Sequence, residues 1–147
     1  MSSQKGGAIL LVEDNPNDAE LTMRAFKKAN VANEIRVARD GAEVLDLFFG
    51  KGEYAGDSPA KLLRLILLDL KLPKVDGLEV LRRLKSEDRT RKIPIVVLTS
   101  SREESDLVAS YHLGANSYIV KPVDSEKFIE AVHNIGLYWL LLNEPPH

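Results

Sequence analysis

Residues 65–77 read Leu65-Ile66-Leu67-Leu68-Asp69-Leu70-Lys71-Leu72-Pro73-Lys74-Val75-Asp76-Gly77. The run Leu65–Leu68 is apolar without alternation, the pattern of a central parallel strand covered on both faces. It ends on Asp69. A carboxylate at the end of a buried strand is costly unless something compensates it, so this residue reads as part of a site. Pro73 punctuates the following turn, and Asp76-Gly77-Leu78-Glu79 carries a capping oxygen three residues before a glutamate, the signature of a helix start. The segment is therefore a strand, a loop and a helix.

The same alternation extends in both directions. Ala8–Val12, Ile35–Ala38, Ile95–Leu98 and Ser117–Val120 are further short apolar runs, each followed by a helical pattern. Five βα units predict an α/β fold with a doubly wound, five-stranded parallel sheet. Asn15-Pro16 predicts the first helix start, Asp40-Gly41-Ala42-Glu43 the second, Ser101-Arg102-Glu103-Glu104 the fourth, and Asp124 or Ser125 the fifth. Gly114 reads as the stop of the fourth helix. The long connection is 50–61, between the second helix and the third strand.

A chain of 147 residues is expected to form one domain, with a core over about 9–132 and a last helix extended over about 125–143. Its 44% hydrophobic and 29% charged residues are those of a soluble globular protein, and it has no cysteine, so a reducing cytoplasm is the expected compartment. The N-terminal apolar run, five residues before Glu13 and Asp14, is too short for a signal peptide or a membrane span. A net charge of −2 argues against a nucleic-acid binder, which needs a concentrated basic patch.

In a doubly wound sheet, ligands bind beyond the carboxyl ends of the strands. The residues there are Glu13, Asp14, Asp69, Thr99 and Lys121. Converging carboxylates repel unless a cation lies among them, and hard oxygen ligands suit Mg²⁺. Asp69 is then a nucleophile, Lys121 a compact positive charge, and Thr99 a hydroxyl donor to a phosphoryl oxygen. Each element has an ordinary structural reading when taken alone: Glu13-Asp14-Asn15-Pro16 as a helix start, Thr99 as a β-branched strand residue, Lys121-Pro122 as a surface turn. Their joint occurrence in strand-end order favours the site. A metal-dependent phosphatase or hydrolase is the competing function, and an unphosphorylated scaffold or nucleotide binder a third. The last is disfavoured by the lack of a glycine-rich loop after the first strand.

Taken together these segments resemble the receiver domains of two-component response regulators, over essentially the whole chain from about Ile9 to Val132. The resemblance implies a flavodoxin-like sheet of order 2-1-3-4-5 and phosphorylation of Asp69 by a histidine kinase. It implies a metal held by Asp14, Asp69 and the Lys71 backbone carbonyl, with Glu13 acting directly or through water. It further implies a switch in which Thr99 moves toward the phosphoryl group and Tyr118 turns into the vacated space; by pattern alone Tyr118 is equally an ordinary strand aromatic. Such a protein signals by conformational change and catalyses only its own phosphorylation and dephosphorylation. The competing dehalogenase-type phosphatases carry a second aspartate two residues after the nucleophile, where this chain has Lys71.

The Glu-Asp pair, the long segment before the third strand and the apolar last helix are similar to the cyanobacterial phytochrome response regulators, which implies a phytochrome as the kinase. Lys71 stands where asparagine is frequent in that group. The consecutive apolar residues Leu137, Tyr138, Trp139, Leu140, Leu141 and Leu142 point around more than a full helical turn. They predict a homodimer through the C-terminal helix, joined by the fourth helix or the fifth strand.

Overall fold

The structure, a computed structural model, describes residues 7–29, 31, 33–49, 63–72, 75–88, 90–99, 112–120 and 126–135. Its strands are β1 (Ala8–Val12), β2 (Glu34–Ala38), β3 (Leu63–Asp69), β4 (Ile95–Thr99) and β5 (Ser117–Val120). The described helices are α1 (Pro16–Lys28), α2 (Gly41–Phe49), α3 (Gly77–Ser86) and α4 (Glu126–Ile135). Here α4 is the fifth of the expected helices. The expected fourth falls outside the described residues except for His112–Gly114, as do the connection 50–61 and the apolar run 137–142.

The sheet has the order β2-β1-β3-β4-β5 and every neighbouring pair is parallel. Side-chain alternation sorts the strands into two cores. Leu10, Val12, Ile66, Leu68, Ile95 and Val97 pack with Val44 and Phe48 of α2 and Val80, Leu81 and Leu84 of α3. Ile9, Leu11, Leu65, Leu67, Val96, Leu98 and Ile119 pack with Phe26 of α1 and Phe128 and Val132 of α4. Because both parities are buried in β1, β3 and β4, these strands read as continuous apolar runs. Strand β2 differs. It lies at the sheet edge and leaves Glu34, Arg36 and Val37 exposed, so only its position in the sheet, not its composition, makes it part of this core.

Of the three expected helix starts among the described residues, two follow the expected chemistry; those at Ser101 and at Asp124 or Ser125 lie outside them. Asn15 Oδ1 accepts from the amides of Asn17 (2.9 Å) and Asp18 (3.1 Å), with Pro16 in the first turn. Asp40 Oδ1 accepts from Glu43 N at 2.8 Å. Asp76 occupies the cap position of α3 but makes no side-chain cap hydrogen bond. Its expected partner Glu79 turns instead to Arg82, whose Nε donates at 3.0 Å, because a guanidinium is a stronger, charge-assisted partner than a cap amide. That contact holds the Glu79 carboxyl below its usual range. Gly114 has φ 108°, the left-handed conformation suited to a helix stop.

Candidate functional site

The carboxyl ends of β1, β3 and β4 build one side of the sheet's upper edge. Glu13 continues the ladder past β1, its amide donating to Ala38 O at 2.9 Å. Its side chain turns inward, 1% exposed, and Oε2 accepts from Asn15 N at 3.3 Å. The next residue, Asp14, is exposed. Asp69 is the last residue of β3 and 5% exposed. Its Oδ1 accepts from Lys71 N at 2.9 Å, so the carboxylate organises the turn that follows it.

That turn is held from both ends. Leu70 N donates to Leu98 O at 3.2 Å, and Gly77 N donates to Leu70 O at 3.1 Å. The start of α3 thus lies directly on the segment around Asp69: a Cβ at Gly77 would stand 2.5 Å from Asp69 O and 2.6 Å from Leu70 Cα. Gly77 is required there by close approach rather than by its backbone angles.

One carboxylate oxygen from each of Glu13, Asp14 and Asp69 lies within 4.8 Å of the other two. Unit charges at such separations repel by about 2–4 kcal/mol per pair at the effective dielectric of a half-exposed protein site. The donor set is all oxygen and triply anionic. It therefore fits a hard divalent cation that keeps waters on its open side, and does not fit a soft or square-planar metal.

Thr99 ends β4 and is 4% exposed. Leu98 is the register partner of Asp69, so Thr99 lies one residue beyond it on the adjacent strand. Across β4, Thr99 pairs with Val120, the residue immediately before Lys121. Lys121 itself lies outside the described residues. Tyr118 pairs with Val97, is 40% exposed, and sits on the edge strand beside this end of the sheet. The structure thus brings Glu13, Asp14 and Asp69 together, and sets Thr99 on the next strand with Tyr118 one strand further.

Reading the sequence as caps overlooked two positions. Gly41 and Gly77 were visible only as the second residues of Asp-Gly helix starts, yet both are points of backbone contact with the loop after Asp69. The paired Asp-Gly pattern was the available signal.

Residues 9–133 match the family described as the response regulator receiver domain. Among curated relatives, the probable methanogenesis regulatory protein FilR2 of Methanothrix harundinacea is 46% identical over 94% of this chain and 86% of its own. Among solved structures, the phosphorylated cyanobacterial phytochrome response regulator RcpA superposes with a TM-score of 0.82 at 40% identity, covering 96% of this chain and 99% of that one. The Mn²⁺-bound form of response regulator Rcp1 gives 0.81 at 37%, with the same coverage of 96% and 99%. The bacteriophytochrome response regulator AtBRR gives 0.74 at 55% identity, covering 94% and 98%.

Proposed function

The chain belongs to the response regulator receiver family, and on that premise we propose that Asp69 is its phosphoacceptor, served by a divalent cation, by Thr99 and by Lys121. The observation that carries this reading is the convergence of Glu13, Asp14 and Asp69 within 4.8 Å at the carboxyl end of the sheet.

In this reading an Asp69 carboxylate oxygen attacks the phosphorus of a phosphohistidine. The P–O bond forms as the P–N bond breaks, and the imidazole leaves with the electron pair and takes up a proton. Asp14, Asp69 and the Lys71 carbonyl would hold Mg²⁺, with Glu13 contributing directly or through water. When bound, the ion neutralises charge on the transferring phosphoryl oxygens. That the relative Rcp1 was solved in a Mn²⁺-bound form supports a divalent cation as the ligand. Asp69 is oriented before reaction by its bond from Lys71 N, and its 5% exposure limits the water that competes for the phosphoryl group. The Lys121 ammonium would pair with a phosphoryl oxygen, and the Thr99 hydroxyl would donate to another.

Charge added at Asp69 draws Thr99 toward it, and the ring of Tyr118, now 40% exposed, turns into the space that Thr99 leaves. The partner is a histidine kinase of the phytochrome class, a reading supported by the two phytochrome and bacteriophytochrome regulators that superpose on this chain. The C-terminal helix forms a homodimer, and the protein works in the cytoplasm. Among the described residues no helix is long and apolar enough to cross a membrane.

Acetyl phosphate with Mg²⁺, followed by intact mass, tests the reading. A single phosphoryl adduct, cleaved by hydroxylamine and absent without Mg²⁺, is expected. Sustained release of phosphate with no accumulated adduct would instead establish the phosphatase alternative. Phosphotransfer from a bacteriophytochrome kinase, compared with other histidine kinases, tests the partner.

A further inference from the structure

The turn between β2 and α2 touches both arms of the acidic site. At one end Ala38 O accepts from the amide of Glu13 at 2.9 Å, fixing the acidic pair after β1. At the other, the first residue of α2 meets the loop that follows Asp69. A Cβ on Gly41 would stand 2.2 Å from Val75 O, 2.8 Å from Val75 Cβ and 2.9 Å from Val75 C. The obstructing atoms are mostly backbone, which cannot swing aside as a flexible side chain could. Between these contacts the start of α2 is capped, Asp40 Oδ1 accepting from Glu43 N at 2.8 Å. Val75 in turn packs against the core shared by α2 and α3.

From this juxtaposition we propose that Gly41 is a positioning residue for the cation site, setting through Val75 the distance between the loop after Asp69 and the acidic pair after β1. The proposal rests on the reading of Asp69 given above. Ordinary carbon contacts begin at about 3.5 Å, so an alanine at 41 would need about 1 Å of separation between α2 and the loop. The described ends of that loop are held against neighbouring backbone. Gly77 N already donates to Leu70 O at 3.1 Å, and a Cβ on Gly77 would stand 2.5 Å from Asp69 O and 2.6 Å from Leu70 Cα. The displacement therefore passes to Lys71 and Asp69, whose oxygens would hold the ion. Changes in residues that orient metal ligands typically weaken affinity about tenfold or more.

Calorimetric titration of Mg²⁺ tests this with wild type, Gly41→Ala, Val75→Ala and Leu84→Ala. Leu84 is a buried α3 residue near the opposite end of the sheet and controls for general loss of stability. Gly41→Ala should weaken Mg²⁺ binding about tenfold. In phosphorylation by acetyl phosphate it should raise the half-saturating Mg²⁺ concentration while the rate at saturating Mg²⁺ is kept. Val75→Ala, which keeps the atoms that meet Gly41 but removes the methyls that pack Val75 against the core, should let the loop shift and weaken Mg²⁺ in the same direction by less, and decides the matter should Gly41→Ala not fold. Leu84→Ala should lose stability with its Mg²⁺ affinity unchanged. A folded Gly41→Ala with wild-type affinity, a wild-type affinity in Val75→Ala where Gly41→Ala does not fold, or an equal loss in Leu84→Ala, would overturn the proposal. Wild type that neither binds Mg²⁺ nor takes up phosphoryl would remove the acidic-site reading itself, a result visible before any variant is compared.

Discussion

Lys85 Nζ lies 3.3 Å from Oδ1 of Asn116, joining the end of α3 to the start of β5 on the side of the sheet opposite the acidic site. The same ammonium donates to Ile93 O at 2.9 Å and to Arg91 O at 3.0 Å. Asn116 brackets Ile95, its Oδ1 accepting from Ile95 N at 2.9 Å and its amide donating to Ile95 O at 2.8 Å. One lysine thus fastens the entries to β4 and β5.

Lys85→Met should destabilise the fold by about 1–3 kcal/mol at neutral pH, since charge-assisted donors are lost and three oxygens lose a partner. Burial holds the Lys85 ammonium below the 10.5 of an unperturbed lysine. Between that lowered folded value and 10.5 the unfolded chain binds more protons, so this group makes stability rise with pH across that window. Urea melts at a series of alkaline pH values should show the difference between wild type and Lys85→Met growing with pH. A difference that shrinks or stays flat would contradict the assignment.

Asp69→Asn should abolish phosphorylation by acetyl phosphate while the fold is kept, because the amide retains the acceptor for Lys71 N but is no nucleophile. In the absence of divalent cations the variant should also be more stable than wild type by about 1–3 kcal/mol, since one of three mutually repelling charges is gone. Thermal melts with and without EDTA, beside intact mass after acetyl phosphate treatment, check both outcomes. Labelling of the variant at another residue would refute the phosphoacceptor assignment.

Asp14→Ala should weaken Mg²⁺ binding and suppress phosphorylation, through loss of a direct oxygen ligand. Glu13→Gln should have the smaller effect, because Glu13 is the residue assigned to act directly or through water. Unchanged Mg²⁺ affinity in Asp14→Ala, read by calorimetry, would count against the metal assignment.

Lys121→Ala should permit some phosphorylation yet uncouple it from the surface around Tyr118. Nuclear magnetic resonance of the Tyr118 ring before and after phosphorylation reads this directly. The same spectral change in variant and wild type would exclude Lys121 from the switch.

Wild type should dimerise at micromolar concentration, and a Trp139→Glu, Leu142→Glu double variant should be monomeric. Sedimentation equilibrium decides this. A monomeric wild type, or equal association of the variant, would sink the proposed C-terminal interface.

Local patterns carried most of the fold. Leu65–Leu68 and Ile95–Leu98 were readable as central strands because a strand buried on both faces has no polar period, and the structure buries both. Asn15 was readable as a cap because capping is settled within three residues. Asp69 stood out because a carboxylate ending such a strand needs a compensating partner. Tertiary structure decided what no local pattern encodes. It placed β2 at the edge, where Arg36 and Val37 meet solvent, and it set Glu13, Asp14 and Asp69 within 4.8 Å although they leave different strands. It turned Glu79 from Asp76 to Arg82, because the better partner on the helix surface won. Gly41 and Gly77 show the difference most sharply. A helix start accepts many residues after its cap, and what forbids a side chain at these two positions is Val75 in one case and Asp69 and Leu70 in the other, atoms brought there by the packing of whole helices against a sheet.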